Sequence, residues 1–567
     1  MPTEHIWSIK PLPDEHLIQE LSNAINTNPI VSALLIQRGI TNFEEAKAFF
    51  RPSLTELHDP FLMKDMELAV TTLISAIDSN EKILIYGDYD VDGTTSVALV
   101  YKFLSNYHKK LAYYIPDRYE EGYGVSMQGV EWASENGFGL IISLDCGIKG
   151  HKPIARAKEL GMDFIVCDHH TPGDILPNAN AILDPKQMDC GYPFKELSGC
   201  GVGFKLMQAI ASRKSWDKEL LFENLDLLAV SIAADIVPMV AENRTLSFYG
   251  LKKLNEDPSI GLKALMEIGG LTPPLNIGNV VFGIAPRINA SGRIGHANEA
   301  VSVLISNDMT EANRIASLIN TKNQIRRDTQ EQITNEALAM LEGNPIFKQR
   351  KSTVLFSAGW HKGVIGIVAS KCVDEYYKPT IVLTESNGFV TGSARSVSGF
   401  DVHEAIVQSG EWLEQFGGHK YAAGLSLKRE NLEPFIMAFE EAVVSTITSE
   451  QETRTIKIDA EITLDLITYK FLNLVNQMAP FGPGNLQPVF VVKGVKIQKA
   501  SLLKELHLKL NVEQNGAVFD GIGFNMPHLF NDELAGNIID IVFNIDENNF
   551  RGIKSIQLKI KDIKFTA

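Results

Sequence analysis

The sequence predicts an α/β protein with a parallel-sheet domain, a long linking helix, a second and smaller α/β domain, and a C-terminal β-barrel of the oligonucleotide-binding type. Three observations carry this. Apolar runs of strand length, Ile83-Leu84-Ile85-Tyr86, Leu140-Ile141-Ile142-Ser143-Leu144 and Phe164-Ile165-Val166-Cys167, alternate with helix-like segments at 95–106, 126–136 and 149–160. Strand, helix, strand in alternation gives a parallel sheet with right-handed crossovers. A long amphipathic stretch from Asp308 is stopped by Gly343-Asn344-Pro345. From Arg454 onward the pattern changes to five or six short alternating strands, with Asn515-Gly516 as a hairpin turn signal.

Length and composition fit this division. A chain of 567 residues is too long for one core. The expected segments are a helical, mostly polar 1–60, the parallel-sheet domain at 61–255, a linking helical region at 256–344, the second α/β domain at 345–450 and the barrel at 451–567. A hydrophobic content of 45% and a charged content of 22% are ordinary for a globular protein. No apolar run approaches the ~20 residues of a membrane span, and Met1 to Lys10 carries no signal-peptide pattern, so a cytoplasmic protein is expected. Five cysteines without a C-x-x-C pair argue against a disulfide framework and a zinc ribbon. The net charge of −16 counts against a broad nucleic-acid-binding face, so any such contact is expected to be local, in a groove.

The chemistry concentrates at the ends of the predicted parallel strands. The first runs into Gly87-Asp88-Tyr89-Asp90-Val91-Asp92-Gly93, the second into Asp145, the third into Asp168-His169-His170. A parallel sheet brings these ends to one edge, where open α/β folds bind ligands. Unit charges about 4 Å apart repel by roughly 4 kcal/mol at an effective dielectric near 20, so a cation is needed to hold such a group together. A calcium loop is excluded, because its twelfth position, counted from Asp88, is Leu99. A further apolar run, Leu227 to Ala234, ends at Asp235, which joins the cluster as a candidate ligand. The chain has no Gly-Lys dipeptide, no His-Glu-x-x-His and no Gly-x-Ser-x-Gly. That leaves carboxylates with imidazoles, suited to two divalent cations that activate water on a phosphoryl group. The donors favour Mn²⁺ or Mg²⁺ over zinc.

Several glycine-rich basic stretches are candidate phosphate contacts. Arg118 sits in the loop 116–125, read as joining two helices. Arg287, Asn289 and Arg293 lie in 286–293, read as a turn before the long helix. Ser393 and Arg395 lie in 392–396, and His419 follows Phe416-Gly417-Gly418. Glycine lets a backbone approach a ligand, and Ser, Asn, Arg and His supply donors to phosphate oxygens.

Asp168-His169-His170 after a strand, with Asp90-x-Asp92 upstream, resembles the DHH phosphoesterase family. The Gly417-Gly418-His419 block resembles that family's companion domain, DHHA1. The domain order, ending in a β-barrel, is similar to the family's single-stranded-DNA-specific exonucleases. The resemblance implies metal binding by Asp88, Asp90, Asp92, Asp145, His169, His170 and Asp235. Six of these, all but Asp88, are the expected catalytic set, with two ions sharing Asp90 and Asp145. It implies phosphate contacts from Arg118, Arg293, Ser393, Arg395 and His419. It further implies hydrolysis of single-stranded DNA from the 5′ end in DNA repair and recombination, with a single-strand-binding protein and a helicase as partners. Larger members carry an additional C-terminal domain, which this sequence is not expected to include. Two alternatives stay open: a phosphodiesterase for oligoribonucleotides or cyclic dinucleotides, and a non-catalytic subunit that binds single-stranded DNA.

Overall fold

In the computed structural model, the described residues are 5–531, 533–550 and 552–565. The outermost ends of the expected first and last segments, and the start of the Met1–Lys10 stretch, lie outside them. The chain divides into two compact units: Pro13–Asn323 with Asn473–Gln487, and the remaining described residues. Among the described residues, no helix is long and apolar enough to cross a membrane.

Strand β1 (Ile6–Ile9) opens the chain and belongs to the unit that also holds its C-terminal part. The other unit is built on a parallel sheet of β2 (Ile83–Gly87), β3 (Leu111–Tyr114), β4 (Leu140–Leu144), β5 (Asp163–Cys167) and β6 (Ala181–Leu183). Its strand order is β3-β2-β4-β5-β6, every neighbouring pair parallel. β2 and β4 are buried along their whole length, which explains their continuous apolar runs. Helix α1 (Val91–Leu104) follows β2. Helices α2 (Gly199–Lys214) and α3 (Leu225–Ala234) bring further buried apolar side chains into the same core. Two strands of this sheet went unread in the sequence, β3 and β6. The loop 116–125 therefore joins a strand to a helix, not two helices. Residues 286–293, read as a turn, instead form helix α4 (Ala285–Ile294) within this unit, entered through a π-helical turn at Val280–Ile284. Tertiary packing of Ile284, Ile288 and Ala290 overrides the turn-like composition.

Helix α5 (Met309–Gly343) is a single 35-residue helix, where the sequence left one helix or a pair open. After it comes the smaller sheet: β7 (Thr353–Phe356), β8 (Thr380–Ser386), β9 (Phe389–Arg395), β10 (Gln415–His419) and β11 (Ala422–Leu427), in the order β10-β11-β9-β8-β7. Helix α6 (Ile365–Tyr376) lies between β7 and β8 in the chain.

The segment 1–60 is not wholly helical. β1 pairs in parallel with β12 (Thr455–Ile458), and Trp7 Nε1 donates to Asp562 Oδ2 at 2.7 Å. The final domain continues with β13 (Ala460–Glu461), β14 (Phe490–Leu503), β15 (His507–Gln514), β16 (Ala517–Gly523), β17 (Ile538–Phe550) and β18 (Ile553–Phe565). β14 pairs with both β15 and β17, so β14-β15-β16-β18-β17 close into a five-stranded barrel. Asn515 and Gly516 both take positive φ, as the β15–β16 hairpin requires.

Candidate metal centre

The centre is assembled at the carboxyl edge of the large sheet. After β2 the chain turns so tightly that a Cβ on Gly93 would stand 2.4–2.7 Å from the backbone of Asp88; only glycine fits. Asp90 caps α1 by accepting from Gly93 N at 3.0 Å. Asp92, one residue into that helix, is gripped from outside it. Gly199 N and Cys200 N, at the start of α2, donate to its two oxygens at 2.7 and 2.9 Å, and Ser231 Oγ of α3 donates at 2.6 Å. A helix N-terminus suits a carboxylate because its first amides have no intrahelical acceptor.

Asp145 follows β4 with φ +60°, a left-handed conformation that aspartate tolerates. Gly199 packs directly on it: a Cβ there would lie 2.5 Å from Asp145 Cβ. After β5, Asp168 Oδ1 accepts from the backbone of His169 and His170 and from His170 Nδ1, the last at 2.7 Å, while its Oδ2 takes Ile148 N. Asp168 thus orients the two histidines. His169 Nε2 faces Asp145 Oδ1 at 3.2 Å, Asp235 Oδ2 at 3.5 Å and Asp92 Oδ2 at 3.8 Å. Asp235 ends α3, its N–H bonded to Ser231 O.

Burial raises the pKa of Asp88, with Asp90 adding to it. Burial likewise raises Asp90 and Asp145, each with Asp92 as the main charged neighbour, and takes Asp235 to about 8. His169 is pushed down by burial. For His170, burial opposes the charge, but the Asp168 carboxylate outweighs it and raises the pKa to about 9. Asp88 Oδ1, Asp145 Oδ1 and both ring nitrogens of His169 are buried without a hydrogen-bond partner among the described residues. Ligand atoms of Asp145, His169 and His170 lie within 4.8 Å of one another, as do those of Asp92, His169 and Asp235. Buried, mutually repelling carboxylates beside unsatisfied imidazole nitrogens fit divalent cations, which satisfy those atoms and offset the charge. These groups are positioned to bind metal.

Residues 82–232 match the DHH family, N-terminal domain; residues 349–445 match the DHHA1 domain, and 458–562 the RecJ OB domain. The chain is 38% identical to the single-stranded-DNA-specific exonuclease RecJ of Bacillus subtilis over 98% of its own length and 70% of that protein. It is 32% identical to the RecJ of Salmonella typhimurium, with 94% and 96% covered. The chain belongs to the RecJ family. A Thermus thermophilus RecJ crystallised with Mn²⁺ superposes with a TM-score of 0.86 at 26% identity, covering 99% of this chain and 80% of that one. A second structure, exonuclease RecJ bound to manganese, gives a TM-score of 0.59 at 31% identity, covering 69% and 98%.

The basic residues that the sequence singles out fall in both units. The Arg118 guanidinium sits over the Tyr89 ring, 4.0 Å from its centroid, with its Nε buried and without a hydrogen-bond partner among the described residues, and it draws the pKa of Asp88 and Asp90 back down. The Tyr119 hydroxyl donates to the Arg293 carbonyl, tying the Arg118 loop to α4. Asn289 is half-buried on that helix. Arg287 bonds the Gly283 carbonyl and Asn320. In the other unit, Arg395 Nη1 donates to Ser393 Oγ at 2.9 Å on β9, and Gly366 at the start of α6 packs against both side chains. His419 ends the exposed strand β10.

Three residues were missed in the sequence. The Tyr123 hydroxyl lies 3.1 Å from His170 Nε2; only its glycine-rich loop drew notice. Asp184 follows β6 at the same sheet edge, but a three-residue strand is too short for periodicity to reveal. Ser231, which holds Asp92, carries no sequence signal.

Proposed function

We propose that this chain hydrolyses phosphodiester bonds of single-stranded DNA from the 5′ end, as a metal-dependent exonuclease, with Mn²⁺ or Mg²⁺ held by Asp88, Asp90, Asp92, Asp145, His169, His170 and Asp235. The observation that carries this is the gathering of Asp145, Asp92 and Asp235 within 4 Å of His169 Nε2, with buried polar atoms left unsatisfied among the described residues. A bound pair of divalent cations supplies Lewis-acid charge for the phosphoryl oxygens and lowers the pKa of water. The chain's own residues prepare the site. Asp168 fixes the ring of His170, the α2 N-terminus with Ser231 fixes Asp92, and Gly199 lets Asp145 sit close. Arg118, held over the Tyr89 ring, is set to grip a phosphate with two donors, and Arg293 to add charge. Ser393, Arg395 and His419, in the other unit, are assigned as further phosphate contacts. The closed barrel favours a longer strand over a cyclic dinucleotide. By the same reading, the enzyme works in the cytoplasm in DNA repair and recombination, beside a single-strand-binding protein and a helicase.

The test offers 5′-labelled single-stranded DNA, duplex DNA and short RNA with Mn²⁺, then with a chelator. Single-stranded DNA should be degraded fastest, and the chelator should stop it. Asp90→Ala and His169→Ala should each lose well over tenfold in rate with unchanged circular dichroism. A loss below tenfold in both would overturn the assignment.

A further inference from the structure

Directly after Asp235 the chain makes a costly choice. Ile236 has φ +60° and is 63% exposed. Of the thirteen non-glycine residues with positive φ among the described residues, it is the one that is β-branched. Asn, Asp and Gly tolerate this conformation, whereas a β-branched side chain is strained in it. The usual compensation would be packing, and an apolar side chain this exposed has little. Strain retained without internal return marks a residue displayed for an external contact.

The display is rigidly supported on both sides. Upstream, Asp235 N bonds Ser231 O at 2.9 Å at the end of α3, and Ser231 itself holds Asp92. Downstream, Met239 N donates to Pro483 O at 2.6 Å, and Asn243 Nδ2 donates to Pro238 O at 3.0 Å. Gly482 and Gly484 lie so close to Met239 and Val240 that a Cβ on either would stand about 3 Å from those side chains. Consecutive Cα atoms are 3.8 Å apart, so Ile236 stands at the immediate edge of the centre. A nucleotide whose phosphate is held by the carboxylates carries its one large apolar surface, the base, within that reach.

We propose that Ile236 is a substrate-binding residue whose side chain packs against the face of the nucleobase next to the phosphate being cleaved. The inference rests on the single-stranded-DNA reading above and deepens it. An aliphatic contact of this kind is indifferent to base identity, because every base presents a flat face.

The experiment compares the unsubstituted full chain with Ile236→Gly and Ile236→Asn, both compatible with positive φ. Each is assayed with Mn²⁺ on two 5′-phosphorylated single strands, one intact and one abasic over its terminal nucleotides. On the intact strand, kcat/KM of both variants should fall about tenfold, mainly through KM. Mn²⁺ dependence should not change, and the melting temperature should stay level or rise as strain is relieved. On the abasic strand the variants should match the unsubstituted chain. Equal rates on the intact strand, or the same loss on both strands, would overturn the base contact. Inactivity of the unsubstituted chain on any single strand would instead overturn the functional reading beneath it.

Discussion

Gly199→Ala isolates the dependence of the centre on one missing methyl group. The added Cβ would stand 2.5 Å from Asp145 Cβ, 2.7 Å from its Oδ1 and 2.8 Å from its Cα. Ordinary contact begins near 3.4 Å, so Asp145 and the start of α2 must separate by about 0.9 Å. Two of the three near atoms are not the tip of a flexible side chain, so rotation alone gives no relief. Overpacking of this kind costs about 1–3 kcal/mol of stability. The functional cost should lie near the top of that range. The same residue donates its N–H to Asp92, so one displacement moves Asp145 and Asp92 apart, and a misplacement of ~1 Å can cost roughly 10²-fold in rate. Steady-state cleavage of labelled single-stranded DNA, titrated with Mn²⁺ and read beside a thermal melt, measures both. Gly343→Ala is the control, since nothing lies within 4 Å of its added methyl. If Gly199→Ala keeps kcat/KM within twofold and the Mn²⁺ dependence is unmoved, the close packing of α2 on Asp145 does not matter and the reasoning fails.

Glu242→Leu should cost about 3–5 kcal/mol in urea unfolding, because it strands the fully buried Lys205, 2.6 Å from the carboxylate. Adding Lys205→Met should recover part of that, and no recovery would argue against a stranded charge as the cause. In metal-free protein, the His170 contribution to stability is complete below pH 6.5 and lost as pH rises through about 9, its folded pKa being raised. That of Asp168, whose pKa falls to about 2 as His170 outweighs burial, is complete above pH 3.8 and lost as pH falls through about 2. Asp168→Asn should flatten both limbs of a chelated stability–pH profile, and a profile of unchanged shape would contradict the pairing. Arg118→Ala should weaken single-strand binding equally for all sequences and reduce the salt slope by about one; a sequence-dependent loss would point to a base contact instead.

The sequence pointed to this cluster because the aspartates after β2 and β4, and the histidines after β5, follow strands buried on both faces. Such strands write unbroken apolar runs, and a parallel sheet turns their ends to one side. What stayed hidden had no such run. β3 is half-buried along its length and rich in tyrosine at the sheet edge, β6 has three residues, and α4 is written in Gly, Ser, Asn and Pro but held helical by its packing. The grip on Asp92 joins residues more than a hundred positions apart, which no local pattern encodes. Part of the acidic excess is the centre itself, whose charge bound divalent cations would offset.

The pairing of β1 with β12 sets a schedule for biogenesis. The partner of Ile6–Ile9 emerges only after most of the polypeptide has been made, roughly 20 to 90 s later at about 5–20 residues per second. Until then this leading strand exposes a bare hydrogen-bonding edge, a template for stray association. Nascent chains stalled before Thr455 should therefore leave the first residues open to protease and to chaperones, while those released beyond the barrel should shield them.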